Sequence, residues 1–402
     1  MQANTRLPLR VVLAYAAFVM IGAQDGAIGV LLPSIQGAFS IDKSTVSILF
    51  LFGTAGYLIA AFSSGLLVER LGTQLFLTLG AGAFVLGSVG VWLALSFPVM
   101  LLSFLALAFG VGVIDAGLNT YIAGLPNNTG LLNYLHACYG LGALLGPIVA
   151  STFLALSIAW NGVYLLWVIV GLTMALGLGL AFRGLGRVGH TQGGGEQGRN
   201  VLLSALGLRV VWLAAVFLLL YVGGEVSLGS WSYSLFTEER AFAPLIAGWT
   251  VSGFWMGLTL GRLLLGRVAT RIGDHNLVQL CLAGTIVGLL MVWLSPFQPI
   301  AAIGLWLTGF SLGPIFPTAI AIMSRMVAPR VLPSAIGFAA SAGSAGAAFF
   351  PWLAGNLAEG FGLWTLMPYV MAVSILMLAV WWAFQSQPTL EAGPAKMEDQ
   401  RV

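Results

Sequence analysis

Charge is what this sequence has least of: 7% of its 402 residues are Asp, Glu, Lys or Arg, against about 25% in a typical soluble domain. A chain so poor in charge cannot clothe a water-facing surface, which excludes an ordinary soluble protein. The net charge of +3 is small and scattered, so nucleic acid is not an expected partner. Cysteine is scarce too: Cys138 and Cys281 lie far apart in apolar segments and read as packed free thiols, not as a disulfide or a metal site. The sequence has no P-loop to cradle phosphates, no paired metal-ligand motif and no Ser/His/Asp arrangement at recognisable spacing. An enzyme is therefore not expected, and neither a metal nor a cofactor is called for. His190 and His275 fall in loops and read as solvated.

What fills the sequence is hydrocarbon: 59% hydrophobic residues and a mean hydropathy of +0.98. Apolar runs of about 20 residues mark membrane-spanning helices. Twelve are read, at 10–36, 44–68, 73–95, 98–124, 131–156, 160–182, 208–235, 244–268, 276–294, 299–324, 331–356 and 362–385. Arg6 and Arg10 before the first run imitate a signal peptide, but Asp25 and the run's length argue for a retained helix. The spacing predicts an all-α membrane protein with a six-helix half at 1–182, a Gly-rich cytoplasmic linker at 183–207, a second half at 208–386 and a disordered tail at 387–402. Of the 16 basic residues, all but Lys43 and Arg240 fall on the side that holds the termini. That asymmetry predicts both termini in the cytoplasm and an inner-membrane location. It also puts the "NNT" sequon at Asn127 on the cytoplasmic side, where it means nothing.

The halves resemble each other. "SGLLVERLGTQLFL" after the second span matches "LLLGRVATRIGDHNLV" after the eighth, and "IGAQDGAIG" around Asp25 matches "VGGEVSLGS" around Glu225. Repeated halves of six spans with a long loop between them resemble the major facilitator superfamily, whose members move solutes by alternating access. Gly65, Glu69, Arg70 and Gly72 fit that family's cytoplasmic motif, with Thr73 and Gln74 in place of its basic pair. The resemblance implies that these residues, with Arg267 and Arg271 in the second half, form a latch between the halves.

Asp25, Asp115 and Glu225 fall well inside spans, where a charge costs about 2.5–3.5 kcal/mol. No lysine lies at their depth, and Arg262 is placed at the cytoplasmic end of the eighth span, too shallow to pair with them. Unpaired carboxylates that load and release protons are what a proton-coupled carrier needs. Asn119 shares a face with Asp115, and Asn133, His136 and Gly140 share a face of the fifth span. With Gln24 these groups suit a polyhydroxylated ligand. Tyr139, Trp231, Tyr233, Trp249 and Trp255 are available as walls or as packing. Glycine pairs such as Gly22/Gly26 and Gly142/Gly146, and the set Gly253/Gly257/Gly261, are expected to line the moving seams. "GPIFP" from Gly313 should break the tenth span.

An acid and an Asn four apart in span four, an Asp in span one, "N…GxGALLGP" in span five and "GFSLGPIFPT" in span ten resemble the fucose/glucose–proton symporter family. That resemblance implies Asp115 and Asp25 for proton coupling, and Asn119 and Asn133 for sugar. Asp115 stands where the family's fucose carrier has Glu. The expected partners are a small solute, protons and lipid, in a monomer driven by the proton gradient. Two further readings stay open: a proton-coupled drug or lipophile exporter of the same superfamily, and a non-transporting ligand sensor. The sensor is expected to carry a signalling domain, and none is read here.

Overall fold

In lipid every backbone N–H and C=O must find its partner within the chain, so apolar runs of this length fold as helices. The computed structural model describes residues 6–126, 128–184, 201 and 203–387. Of the expected linker at 183–207, residues 185–200 and 202 lie outside the described residues, as does the tail beyond 387.

The helices are α1 (Arg6–Phe39), α2 (Lys43–Leu93), α3 (Phe97–Ala123), α4 (Asn128–Ala155), α5 (Gly162–Ala181), α6 (Arg209–Ser234), α7 (Pro244–Ile272), α8 (Asp274–Leu294), α9 (Gln298–Leu312), α10 (Ile315–Met326), α11 (Leu332–Phe361) and α12 (Leu366–Gln385). No strand occurs among the described residues. Local chemistry sets their starts. Asp42 caps α2 by accepting from the Thr45 amide at 2.6 Å, and proline stands in the first turn of α3, α9 and α11, where its missing N–H costs nothing.

Among the described residues, ten stretches are long and apolar enough to cross a membrane. One of them, α2, is 51 residues long and bends at Gly72, whose φ of 75° and ψ of 162° suit only glycine. Spans two and three are thus the arms of one bent helix rather than helices joined by a loop. With those arms counted separately and the arginine-bearing α7 added, the fold is consistent with twelve passes.

In the first half α2 packs on α3 and α5, and α1 on α4; in the second half α6 packs on α11 and α12, and α9 on α7 and α8. The halves meet where α4 faces α7, α2 faces α11 and α1 faces α6. The glycine expectation is corrected here. A Cβ on Gly22 would lie 2.0 Å from the Tyr139 carbonyl oxygen and one on Gly142 would lie 2.1 Å from that of Val19, so these residues fuse α1 to α4 inside one half. Gly257 and Gly261 likewise press on α9 inside the other half, and Gly253 touches nothing within 4 Å. The glycines between the halves are Gly29 against Gly229 and Ser230, Gly140 against Thr259, Gly248 against Ser151, and Gly355 against Ser47. Equal spacing along a helix shows that small residues share a face, but not which helix that face meets.

Candidate functional site

Asp115 lies past the middle of α3, partly accessible. Asn119, one turn on, donates from Nδ2 to Asp115 Oδ1 at 3.0 Å and to the Asp115 carbonyl at 3.0 Å. The other carboxylate oxygen, Oδ2, accepts from the Tyr57 hydroxyl of α2 at 2.8 Å. The α1–α4 glycine seam sets Tyr139 over Asp25, and its hydroxyl donates to Asp25 Oδ2 at 3.1 Å. Asp25 and Asp115 are near enough to feel each other's charge. His136 presents an accessible imidazole to the same region, edge-on to Phe18 at 5.7 Å between ring centroids and within electrostatic reach of Asp115.

The second half contributes an ion pair. Arg262 Nη2 stands 3.8 Å from Glu225 Oε1, which overturns the expectation that Glu225 is unpaired and Arg262 too shallow. A proline explains the placement. In a regular helix the Gly313 carbonyl would accept from the amide four residues on, but that residue is Pro317 and has no N–H. The chain breaks between α9 and α10, and the freed Gly313 carbonyl accepts instead from Arg262 Nε at 3.2 Å. The expected break in span ten therefore positions a cation inside the bundle. Tyr139 lies within electrostatic reach of both Glu225 and Arg262, so the two halves share one polar region.

The remaining candidates divide. Asn133 is exposed and Gln24 buried, and neither makes a hydrogen bond among the described residues. Trp231 is fully buried and its indole donates to the Pro351 carbonyl at 2.9 Å, beside the contact between Ser47 and Gly355; it serves packing at the inter-half seam rather than the wall of the site. Tyr233 is buried two residues further along α6. Trp249 is 59% exposed among the outer apolar residues Leu245 and Ile246, so it is not a wall of the site either. Trp255 packs against Gly229 and Phe254. Of the expected latch, Glu69, Arg70 and Arg271 are exposed and form no ion pair among the described residues, Gly65 lines a cavity of about 190 Å3 between α2 and α3, and Gly72 makes the bend. The Arg267 side chain lies outside the described residues. Gln74, replacing a basic residue, donates to the Gly179 carbonyl at 2.9 Å.

The halves are clasped at the end that carries Lys43. Its Nζ lies 2.9 Å from Glu238 Oε2, and its backbone N–H donates to Glu359 Oε2 at 2.9 Å.

A family model described as Major Facilitator Superfamily matches residues 14–239 and 213–401. The chain belongs to the major facilitator superfamily. Among relatives of this superfamily member, the Bacillus subtilis (strain 168) glucose/mannose transporter GlcP is 25% identical over 83% of this chain and 84% of its own length. The Escherichia coli (strain K12) 3-(3-hydroxy-phenyl)propionate transporter is 27% identical over 89% of each chain. Saccharomyces cerevisiae Bypass of stop codon protein 6 is 25% identical over 93% of this chain and 82% of its own. Two solved structures share the fold. The bacterial homologue of the human lysosomal transporter Spinster, inward-facing and unoccupied, superposes with a TM-score of 0.78 at 14% identity, over 95% of this chain and 97% of its own. A D-xylose–proton symporter superposes with a TM-score of 0.77 at 14% identity, over 96% of this chain and 99% of its own. The protein is thus a multi-pass membrane transporter of small solutes, not an enzyme.

Tyr57 and Arg262 are the site residues that sequence reasoning missed. Tyr57 is an aromatic residue in an apolar span with no local mark of function. For Arg262 one signal was present: the GPIFP break promised a free carbonyl, and arginine is the side chain suited to take it.

Proposed function

We propose that the protein is a proton-coupled symporter of a small polar solute of the monosaccharide class. The observation that carries this reading is the pair of carboxylates, Asp115 and Asp25, each held inside the bundle by a tyrosine hydroxyl rather than by a cation. Such groups carry protons without a counter-ion to retain them, and a charge left bare in the bundle is too costly to carry through a rocking motion. Asn119, Asn133, Gln24 and His136 supply donors and acceptors for hydroxyl groups beside them. The GlcP relative carries sugars by its name, and the symporter with the same fold pairs D-xylose with protons. A relative of slightly higher identity is a 3-(3-hydroxy-phenyl)propionate transporter by its name, so the solute is decided by the site and not by overall similarity.

The sequence halves at 1–182 and 208–386 rock about this site as a monomer in the inner membrane, with both termini in the cytoplasm. The Lys43 clasp then closes the outer end, and the exposed Glu69, Arg70 and Arg271 are a latch at rest, the arrangement of an inward-facing carrier. The proton gradient alone drives it, without a cofactor.

Asp115→Asn tests the reading in proteoliposomes. It should strongly lower accumulation of solute driven by a pH gradient and spare solute exchange. Accumulation by the variant at the wild-type level would sink the proposal.

A further inference from the structure

Arg262 is the cation of this site, and its hydrogen-bonding capacity is mostly unspent. A guanidinium has five N–H donors. Nε uses one on the Gly313 carbonyl at 3.2 Å. At 3.8 Å the Glu225 oxygen is beyond the hydrogen-bond range of about 2.7–3.2 Å. The Tyr221 hydroxyl of α6 stands within hydrogen-bonding reach of the guanidinium; the other Nη hydrogens have no acceptor among the described residues, and a polar group inside a protein rarely stays so. Accessibility is also uneven across the pair: 35% for the Arg262 side chain and 11% for Glu225. The guanidinium is thus the accessible member of the pair, and the carboxylate stands behind it. A planar fork with free N–H donors matches a carboxylate in a bidentate fashion.

Resting on the symporter reading above, we infer that the solute is a hydroxylated carboxylic acid, a sugar acid. Its carboxylate seats on Arg262, its hydroxyls bond to Asn119 and Asn133, and Glu225 takes up a proton as the anion enters. The charge count requires the last step. Arg262 and Glu225 sum to zero when the site is empty. A bound carboxylate would leave one uncompensated negative charge in a low-dielectric bundle, which is strongly unfavourable. One proton on Glu225 restores neutrality. The groups facing Glu225 are Arg262 from α7, Tyr221 one turn away on α6, and Tyr139 from α4, with His136 of α4 within reach of Arg262. The tyrosines and the imidazole do not replace that proton, because none carries a fixed positive charge. With the proton on Asp115, two protons accompany each anion and one net positive charge moves inward.

Purified full-length protein in proteoliposomes tests this with radiolabelled galacturonate, galactose and 3-phenylpropionate under an acid-outside gradient. Wild type should accumulate galacturonate with two protons and with net inward charge. Arg262→Gln should weaken galacturonate affinity by about 30-fold or more, and Arg262→Lys, which keeps the cation, should recover part of it; monodispersity of both variants checks folding. Glu225→Gln should still carry galacturonate, with one proton and no net charge. Unchanged galacturonate affinity in Arg262→Gln overturns the inference, as does unchanged charge movement in Glu225→Gln. Proton-driven transport of galactose with galacturonate refused overturns it while leaving the symporter reading intact. Wild-type accumulation by Asp115→Asn removes the symporter reading itself. If 3-phenylpropionate is carried in an Arg262-dependent way and galacturonate is refused, the carboxylate seat stands and the sugar-acid assignment falls.

Discussion

Gly29 gives a direct hold on the proposed alternating motion, because it packs against the backbone of the other half. A Cβ built there would lie 2.5 Å from the Gly229 carbonyl oxygen and 2.7 Å from that of Ser230. Carbon–oxygen contacts settle at about 3.3–3.6 Å, so Gly29→Ala forces α1 and α6 apart by nearly an ångström. Both obstructing atoms are backbone, and no rotamer change removes them. Overpacking of this kind costs about 1–3 kcal/mol. On the rocking motion proposed above, the contact is lost when the halves part at the Lys43 end, so the whole cost falls on the clasped state. The population ratio should shift about 5- to 150-fold toward the opposite arrangement. Spin labels at Leu156 and Phe297, exposed by 67% and 68% at that end in opposite halves, report the change in a background lacking Cys138 and Cys281. The long-distance component should grow in Gly29→Ala. Gly142→Ala is the control, since its Cβ meets the Val19 oxygen at 2.1 Å within one half; it should lower the melting temperature and leave the distances alone. Identical distance distributions for Gly29→Ala and wild type would refute the assignment of this seam.

Lys43→Met removes one clasp at the same end. The pair with Glu238 is partly exposed, 22% and 33% by side chain, so after screening the loss is about 0.2–1 kcal/mol and the distance shift should be smaller than for Gly29→Ala. Tyr57→Phe deletes the hydroxyl on Asp115 without changing shape, and should cut proton-driven uptake about tenfold while solute exchange persists, measured in proteoliposomes. Gly72→Ala puts a side chain where the backbone is open only to glycine; it should lower stability by about 1–3 kcal/mol in a thermal melt although no neighbour lies within 4 Å.

The carboxylates at 25, 115 and 225 were legible in the sequence because an acid in an apolar run is a local anomaly with a known cost. The Asn119–Asp115 bond was legible too, since four residues along a helix fix a shared face. The Tyr57–Asp115 bond spans 58 residues and depends on how α2 leans on α3, which no local pattern records. The reading of Arg262 as a shallow anchor failed for a related reason: depth along α7 was judged from hydropathy, whereas the carbonyl freed by Pro317 on a different helix drew the side chain inward.

Taken by itself, the sequence determined that this chain crosses a membrane, about how often, and which side chains are out of place in lipid. Hydropathy and helix periodicity are sums over neighbouring residues, so a single chain suffices to read them. Only the tertiary structure decided which glycines fuse a half and which face the seam between the halves, and which carboxylate meets a hydroxyl and which a cation. Those choices depend on distances between helices remote in sequence, and an ångström at Gly29 or at Arg262 separates one outcome from the other.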